Sequence, residues 1–276
     1  MIKKDNPSVK ERKFIYDRIE KYIESRRKRI KNGEELEAGG VVDALSDKGY
    51  TINQIAQAIM VLGFASISTT TRNATCLISD LLAFPEYFKI LREEQKKIIE
   101  TAEKDETGSP LLTKQEIDQF EYLNSTIRET LRHRANHLEA WRYTEVDRVL
   151  PNGMKIPKGT IMALDLPNIH FNPEVYGSKE INSKTRDNSL PLELQYNPFQ
   201  FVKPKVKATR VTQDFLNFGM GKHACPGRFF AVQEITSLVC TLLQKYRIET
   251  KDNEKMPFYT GDFKIPMPNV VFKPLV

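Results

Sequence analysis

Cysteine is scarce and scattered. The 276 residues hold three, Cys76, Cys225 and Cys240. They are odd in number and far apart, which excludes a disulfide framework and a Cys-x-x-Cys metal site and favours a reducing compartment over secretion. Long apolar runs are missing too. Nothing approaches the ~18–20 consecutive apolar residues of a spanning helix, and the best stretch, Ile55 to Ile67, is interrupted by Gln57 and Ser66. The first residues, Met1-Ile2-Lys3-Lys4-Asp5, are polar and carry no signal-peptide pattern, so a soluble or at most peripheral polypeptide is expected. Acidic residues are outnumbered 36 to 42, for a net charge of +6 and a pI near 9.0. That balance suits nucleic acid, an anionic membrane or an acidic protein. No RNA-recognition or zinc-finger pattern accompanies it, which makes nucleic acid the weakest of the three. His133 and His137 stand four apart but lack the second ligand pair of a zinc site.

What is present is mostly helical spacing. Residues from about Pro7 to Lys31 read as a surface helix with Phe14, Ile15, Ile19, Tyr22, Ile23 and Ile30 on one side. Its last residues, Arg26-Arg27-Lys28-Arg29-Ile30-Lys31, are cations of the kind that favour a helix C-terminus; the same run also mimics a nuclear-localisation or nucleic-acid patch. Thr51-Ile52-Asn53-Gln54 has the capping-box pattern. From there an apolar-rich helix of roughly 33 residues, about 50 Å long, runs to about Ala83. Its middle breaks the pattern with Ser66-Ile67-Ser68-Thr69-Thr70-Thr71. These hydroxyl residues compete for backbone carbonyls, so the segment is either a tolerated polar face or a place to expect function.

Further helices are expected from Pro85 to about Lys104 and from about Thr113 to His133. The second carries Glu129-Thr130-Leu131-Arg132, whose i, i+3 spacing brings Glu129 and Arg132 together; alone, that pattern decides nothing. Short strands and turns follow, with a hairpin signal at Asn152-Gly153. His170 reads as structural, and Met256 to Val276 as a strand pair.

The densest pattern is Phe218-Gly219-Met220-Gly221-Lys222-His223-Ala224-Cys225-Pro226-Gly227-Arg228-Phe229-Phe230. Apolar residues at helical spacing follow from Ile235, so Cys225 is expected at or just ahead of a helix N-terminus, where a thiolate is favoured. Gly219 and Gly221 permit a tight turn and close approach to a flat ligand, and Pro226 suits the first helical turn. A lone intracellular cysteine is usually a small buried hydrophobe. Here Phe-Gly-x-Gly-x-His-x-Cys-x-Gly fixes six residue types across ten positions, and such a thiolate fits a fifth ligand to haem iron.

This loop closely resembles the haem-binding loop of the cytochrome P450 family, in its fungal branches. The resemblance implies a mainly α fold with small β-sheets: the C-terminal part of the cytochrome P450 fold, with 1–276 a single partial domain. The anchor, early helices and part of the substrate-pocket roof would be missing, and membrane attachment would come only through that missing anchor. It also implies a haem (iron protoporphyrin IX) cofactor with Cys225 as metal ligand. Phe218, Gly219, Gly221, His223, Gly227 and Arg142 would form the cofactor cradle, His223 and Arg142 facing propionates, with Glu129 and Arg132 as the structural pair behind the haem. Thr69 matches the oxygen-side threonine; Ser66 stands for the usual Gly and Ser68 for the usual acid, so Thr69 and Ser68 are the catalytic candidates. Gln200, in Tyr196-Asn197-Pro198-Phe199-Gln200-Phe201, stands where relatives carry an arginine coupled to the Glu/Arg pair. The Phe258-Tyr259-Thr260-Gly261-Asp262 turn would reach the substrate pocket.

The implied activity is a haem-dependent monooxygenase using O2 and electrons from an NADPH–cytochrome P450 reductase. Its acidic face would meet a basic surface including Lys222 and Arg228. The substrate would be an apolar small molecule of secondary metabolism, terpenoid or polyketide, and a full-length relative would sit on the cytosolic side of the endoplasmic reticulum membrane. The alternative is a truncated, non-catalytic homologue with at most a haem-binding or interaction role.

Overall fold

The computed structural model describes residues 7–35, 39–134, 138–177, 187–251, 254–258 and 269–275. The chain divides into two compact units, Met1–Thr69 and Thr70–Val276.

The first unit contains α1 (Pro7–Lys31), α2 (Val41–Asp47) and the start of α3 (Ile52–Ala83). Its core is small: Ile19, Ile23, Ile55 and Ala56. Of the apolar side expected on α1, only part is used, since Phe14, Tyr22 and Ile30 are exposed. Arg26 pairs with Asp43 and Asp47, so one member of the basic run joins α1 to α2. The capping box at the start of α3 is present: Thr51 N–H donates to Gln54 Oε1 (3.0 Å) and Gln54 N–H to Thr51 Oγ1 (3.3 Å). α3 has 32 residues, roughly 48 Å at 1.5 Å each. Among the described residues it is the one helix whose length and composition would suffice to cross a membrane. The run of consecutive apolar residues used above misses this, because a helix reaches that threshold with interspersed hydroxyls.

The second unit is built on four helices: the end of α3, α4 (Tyr87–Thr101), α6 (Glu121–Arg134) and α9 (Arg228–Lys245). Their buried apolar residues recur at one- or two-turn spacing: Leu77 and Leu81, Leu91 and Ile98, Leu123, Ile127 and Leu131, then Ile235, Val239 and Leu243. Each contributes about 1.5–3 kcal/mol on burial. The expected helix from Thr113 is interrupted. A four-residue turn, α5 (Lys114–Ile117), is started by a Thr113/Glu116 capping box and ends before Phe120, which is buried. α6 then begins on a carboxylate from α4: Glu94 accepts from the N–H groups of Glu121, Tyr122 and Leu123 at 2.6, 2.7 and 2.9 Å. These are the free donors of a helix N-terminus, where negative charge is favourable.

The strands are short and antiparallel. β1 (Leu138–Tyr143) pairs with β4 (Ile161–Asp165), and β2 (Arg148–Val149) with β3 (Lys155–Ile156) around Gly153, whose φ is 82°. That is the hairpin expected at Asn152-Gly153. Two short helices follow, α7 (Leu166–His170) and α8 (Pro173–Tyr176). The strand pair expected within 256–276 is described only in part, since residues 259–268 and 276 lie outside the described residues. β5 (Tyr246–Thr250), directly after α9, pairs with β6 (Val270–Pro274), so only one of the two strands lies within 256–276. Residues 259–262 of the expected pocket turn fall outside the described residues. Phe258 packs against Phe84 and Tyr196, with ring centroids 5.2 and 5.1 Å apart.

Candidate haem-thiolate site

The cysteine loop folds back on itself. Gly219 and Gly221 have φ of 68° and 63°, in the left-handed region, and Cys225 N–H donates to Phe218 O at 2.7 Å. At Gly219 a Cβ would come within 3.1 Å of the His223 carbonyl, whereas at Gly221 it would meet nothing within 4 Å. The first glycine is therefore required for both conformation and space, the second for conformation beside an open approach. Gly227 precedes α9, and a Cβ on it would lie 3.9 Å from Cys225 Sγ. Cys225 is thus half-buried just ahead of the helix, as its sequence position indicates. Pro226 sits in the turn before the helix and not in its first turn. Phe218 packs on the main core, while Lys222 and His223 are exposed.

The donor set fits haem. Cys225 offers one sulfur, and among the described residues no three His, Cys, Asp or Glu side chains converge on a common point. A metal at this sulfur would need its remaining ligands from a macrocycle, and Gly221 leaves the loop open to a flat group.

The expected Glu/Arg pair on α6 is built on a fully buried carboxylate. Glu129 receives Arg132 through two parallel bonds of 2.8 Å each, the strong bidentate geometry. It also accepts from Asn197 N–H (2.8 Å) and Gln200 Nε2 (2.7 Å). Burial pushes its carboxyl up, but the charge and hydrogen bonds of Arg132, helped by His133, prevail and hold it at about 2. Arg132 then donates to the carbonyls of His170 (3.0 Å) and Glu193 (2.8 Å), so the pair fastens the segments on either side of residues 178–186 to α6. Gln200 takes the place expected of it but leaves its own Oε1 buried without a partner. His133 lies in the same network, its Nε2 2.8 Å from Arg132. Burial and the neighbouring arginine lower its pKa to about 4. His170 is structural as expected: it is buried, stacks on Phe215 and accepts from Leu216 N–H (2.8 Å).

A second buried pair escaped the sequence reading. Arg134 bonds Asp80 of α3, and Thr130 Oγ1 donates to the same carboxylate at 2.8 Å. Burial pushes the Asp80 carboxyl up against the pull of that arginine. The available signal was an acid inside the apolar run Ser79-Asp80-Leu81-Leu82, since unpaired carboxylates are almost never fully buried. Arg128 is also buried, with its guanidinium 3.7 Å from the Phe215 ring centroid and NH1 donating to Arg210 O (2.6 Å).

Arg142 is exposed on β1 and donates to the Trp141 carbonyl (2.8 Å). Ser68 and Thr69 belong to the first unit; each donates to the carbonyl four residues back, Phe64 at 2.8 Å and Ala65 at 2.6 Å. This back-bonding accommodates hydroxyls within a helix and leaves the side chains exposed.

Comparison with known proteins gives one answer throughout. The family model described as Cytochrome P450 matches residues 1–275. Among curated relatives, Cytochrome P450 monooxygenase braC of Annulohypoxylon truncatum is 32% identical over 212 residues, covering 75% of this chain and 39% of its own. Cytochrome P450 monooxygenase ATR4 of Stachybotrys chlorohalonatus is 28% identical over 258 residues, 91% of this chain and 47% of its own. The corresponding monooxygenase 3 of Gibberella fujikuroi is 30% identical over 222 residues, 77% and 41%. This chain therefore spans less than half the length of each of these fungal relatives.

Proposed function

We propose, from the premise that this chain belongs to the cytochrome P450 family, that it forms part of one haem-dependent monooxygenase domain. The substrate is an apolar small molecule of secondary metabolism, and the electrons come from an NADPH-dependent reductase. The observation that carries this reading is the Cys225 loop: two left-handed glycines, a cysteine folded onto Phe218 O, and α9 beginning three residues later.

In this reading Cys225 supplies the protein's sulfur ligand, and Phe218, Gly219, Gly221 and Gly227 shape the loop that carries it. With haem held there, the chemistry on offer is reductive activation of dioxygen, which a thiolate ligand favours. His223 and Arg142, both exposed, would meet the propionates through charge-assisted hydrogen bonds. Ser68 donates its proton to the Phe64 carbonyl and Thr69 to that of Ala65, and in this reading the two hydroxyls hold a water or proton in place. Glu129 and Arg132 act structurally, since both are buried, Arg132 donating to backbone carbonyls and Glu129 accepting from Asn197 N–H and Gln200. Lys222 is an exposed cation for an acidic reductase surface; Arg228 turns inward instead.

The test is the reduced, CO-treated visible spectrum of protein from haem-fed cells, beside Cys225→Ala. A haem-thiolate Soret band lost in the variant is the expected result; an identical spectrum in both proteins refutes the assignment. A second reading, haem binding without turnover, is favoured by Ser68 standing where relatives have an acid. Haem-loaded protein that stays inactive with reductase would support it.

A further inference from the structure

Arg228 breaks a local rule. It is the first residue of α9, where free N–H groups favour anions and disfavour cations. No acidic residue occupies that first turn, and among the described residues Arg228 forms no ion pair with a carboxylate. Its guanidinium turns back instead. NH1 donates to the carbonyl of Cys225 at 2.7 Å, the guanidinium carbon lies 4.3 Å from the Phe229 ring centroid, and Nε is buried without a partner. The side chain is half-buried, so its charge is less screened than on an open surface. A cation against a helix N-terminus is unfavourable, and a nearby anion offsets it. Arg228 holds the carbonyl of the same residue whose sulfur becomes an anion when it ligates a metal as thiolate.

We infer that Arg228 is a positioning residue for the metal ligand: it anchors the Cys225 carbonyl with a planar, ring-stacked fork and, through its charge, weakens electron donation from the sulfur. The inference rests on the haem-thiolate reading. Arg228 is thereby assigned to tuning the iron couple and not to the reductase surface.

The test is the ferric/ferrous reduction potential of the haem-loaded chain, measured with the CO spectrum, in wild type, Arg228→Gln and Arg228→Lys. Removing the charge favours the ferric form, and a roughly tenfold shift of that equilibrium is expected for Arg228→Gln, equivalent to about 59 mV for one electron. Arg228→Lys retains charge but loses the planar fork and the stack, so its potential should fall between the two. Both variants should keep the thiolate Soret band, because Cys225 is untouched. A wild-type potential in Arg228→Gln, or in the neutral Arg228→Met should the first fail to fold, overturns the inference even if haem is lost faster, since a mere clamp would change retention alone. Absence of a thiolate band in the wild type would instead overturn the haem-thiolate reading beneath it.

Discussion

Glu129→Gln isolates the energetics of the centre of the second unit. The substitution preserves shape but removes the charge that faces Arg132 across two 2.8 Å bonds, with both side chains fully buried. Arg132 keeps its bonds to the His170 and Glu193 carbonyls, so it stays in place as a buried cation without its counter-ion. Breaking such a pair from one side costs about 3–5 kcal/mol. The same arginine, with His133, holds the Glu129 carboxyl well below its ordinary range despite burial, which agrees in direction. For a chain of this size each kcal/mol moves Tm by about 2–4 °C, so a fall of roughly 6–20 °C is expected by circular dichroism. The double variant Glu129→Gln, Arg132→Met should be less destabilised than the sum of the singles, because it removes the stranded charge. A Tm within 2 °C of wild type for Glu129→Gln, or strict additivity in the cycle, refutes the argument. The sign of the pH dependence is also fixed: the folded pKa lies below the unfolded one, so this stability is present above about pH 4.5 and is lost as pH falls towards 2.

Acid lability should begin earlier, through the buried histidines. His133 and His170 are held near 4 against an ordinary 6.5, so the unfolded chain takes up their protons first and stability should decline from about pH 6.5 towards 4; a denaturation midpoint that stays flat from pH 7 to 5 contradicts this. Gln200→Leu loses a hydrogen bond to a charged group, worth about 1.5–3 kcal/mol, but also removes the stranded Oε1, worth about 1–3 kcal/mol. Its Tm should therefore stay near wild type, and a Glu129→Gln-sized fall would show the bond to be far stronger than a neutral donor allows. Gln200→Arg replaces that donor with a charged fork and should raise Tm and haem retention; no change in either refutes the idea that the neutral residue softens this core. Gly219→Ala meets both a left-handed φ and a carbonyl 3.1 Å from the new methyl, and should lower haem retention more than Gly221→Ala, which meets no such neighbour; equal loss would locate the constraint in conformation alone.

What the sequence made legible followed from how local each signal is. The Cys225 loop is written within ten residues, and the capping box at Thr51 within four, so the backbone has few ways to satisfy them and both appear as expected. The hairpin at Asn152-Gly153 is equally local. Features that depend on distant partners stayed hidden. Glu94 caps a helix beginning 27 residues later, and Asp80 meets Arg134 across 54; nothing near either residue announces its partner. The α1 helix appears over the expected residues, but how much of its apolar side is covered was not legible. Periodicity says which residues share a side, but only the packing of α2 and α3 decides how much of that side is covered. Of the strand pair expected at the C-terminus, β6 lies within 256–276 and pairs with β5, which follows α9 directly, a partner no local pattern announces.

The same contrast separates the two halves of the proposed chemistry. Glu129, Arg132, Gln200 and Asn197 are bound to one another by bonds of 2.7–2.8 Å inside a packed core, so substitutions there should register first in folding. Ser68 and Thr69 are exposed and bonded to their own helix, so their replacement by alanine should leave folding nearly untouched, within about 0.5 kcal/mol as for ordinary surface positions. The chemistry assigned to them thus makes a separable prediction. Ser68→Ala and Thr69→Ala should preserve the melting curve and the Soret band while lowering turnover, and a parallel loss of all three would move them from the reaction into the scaffold.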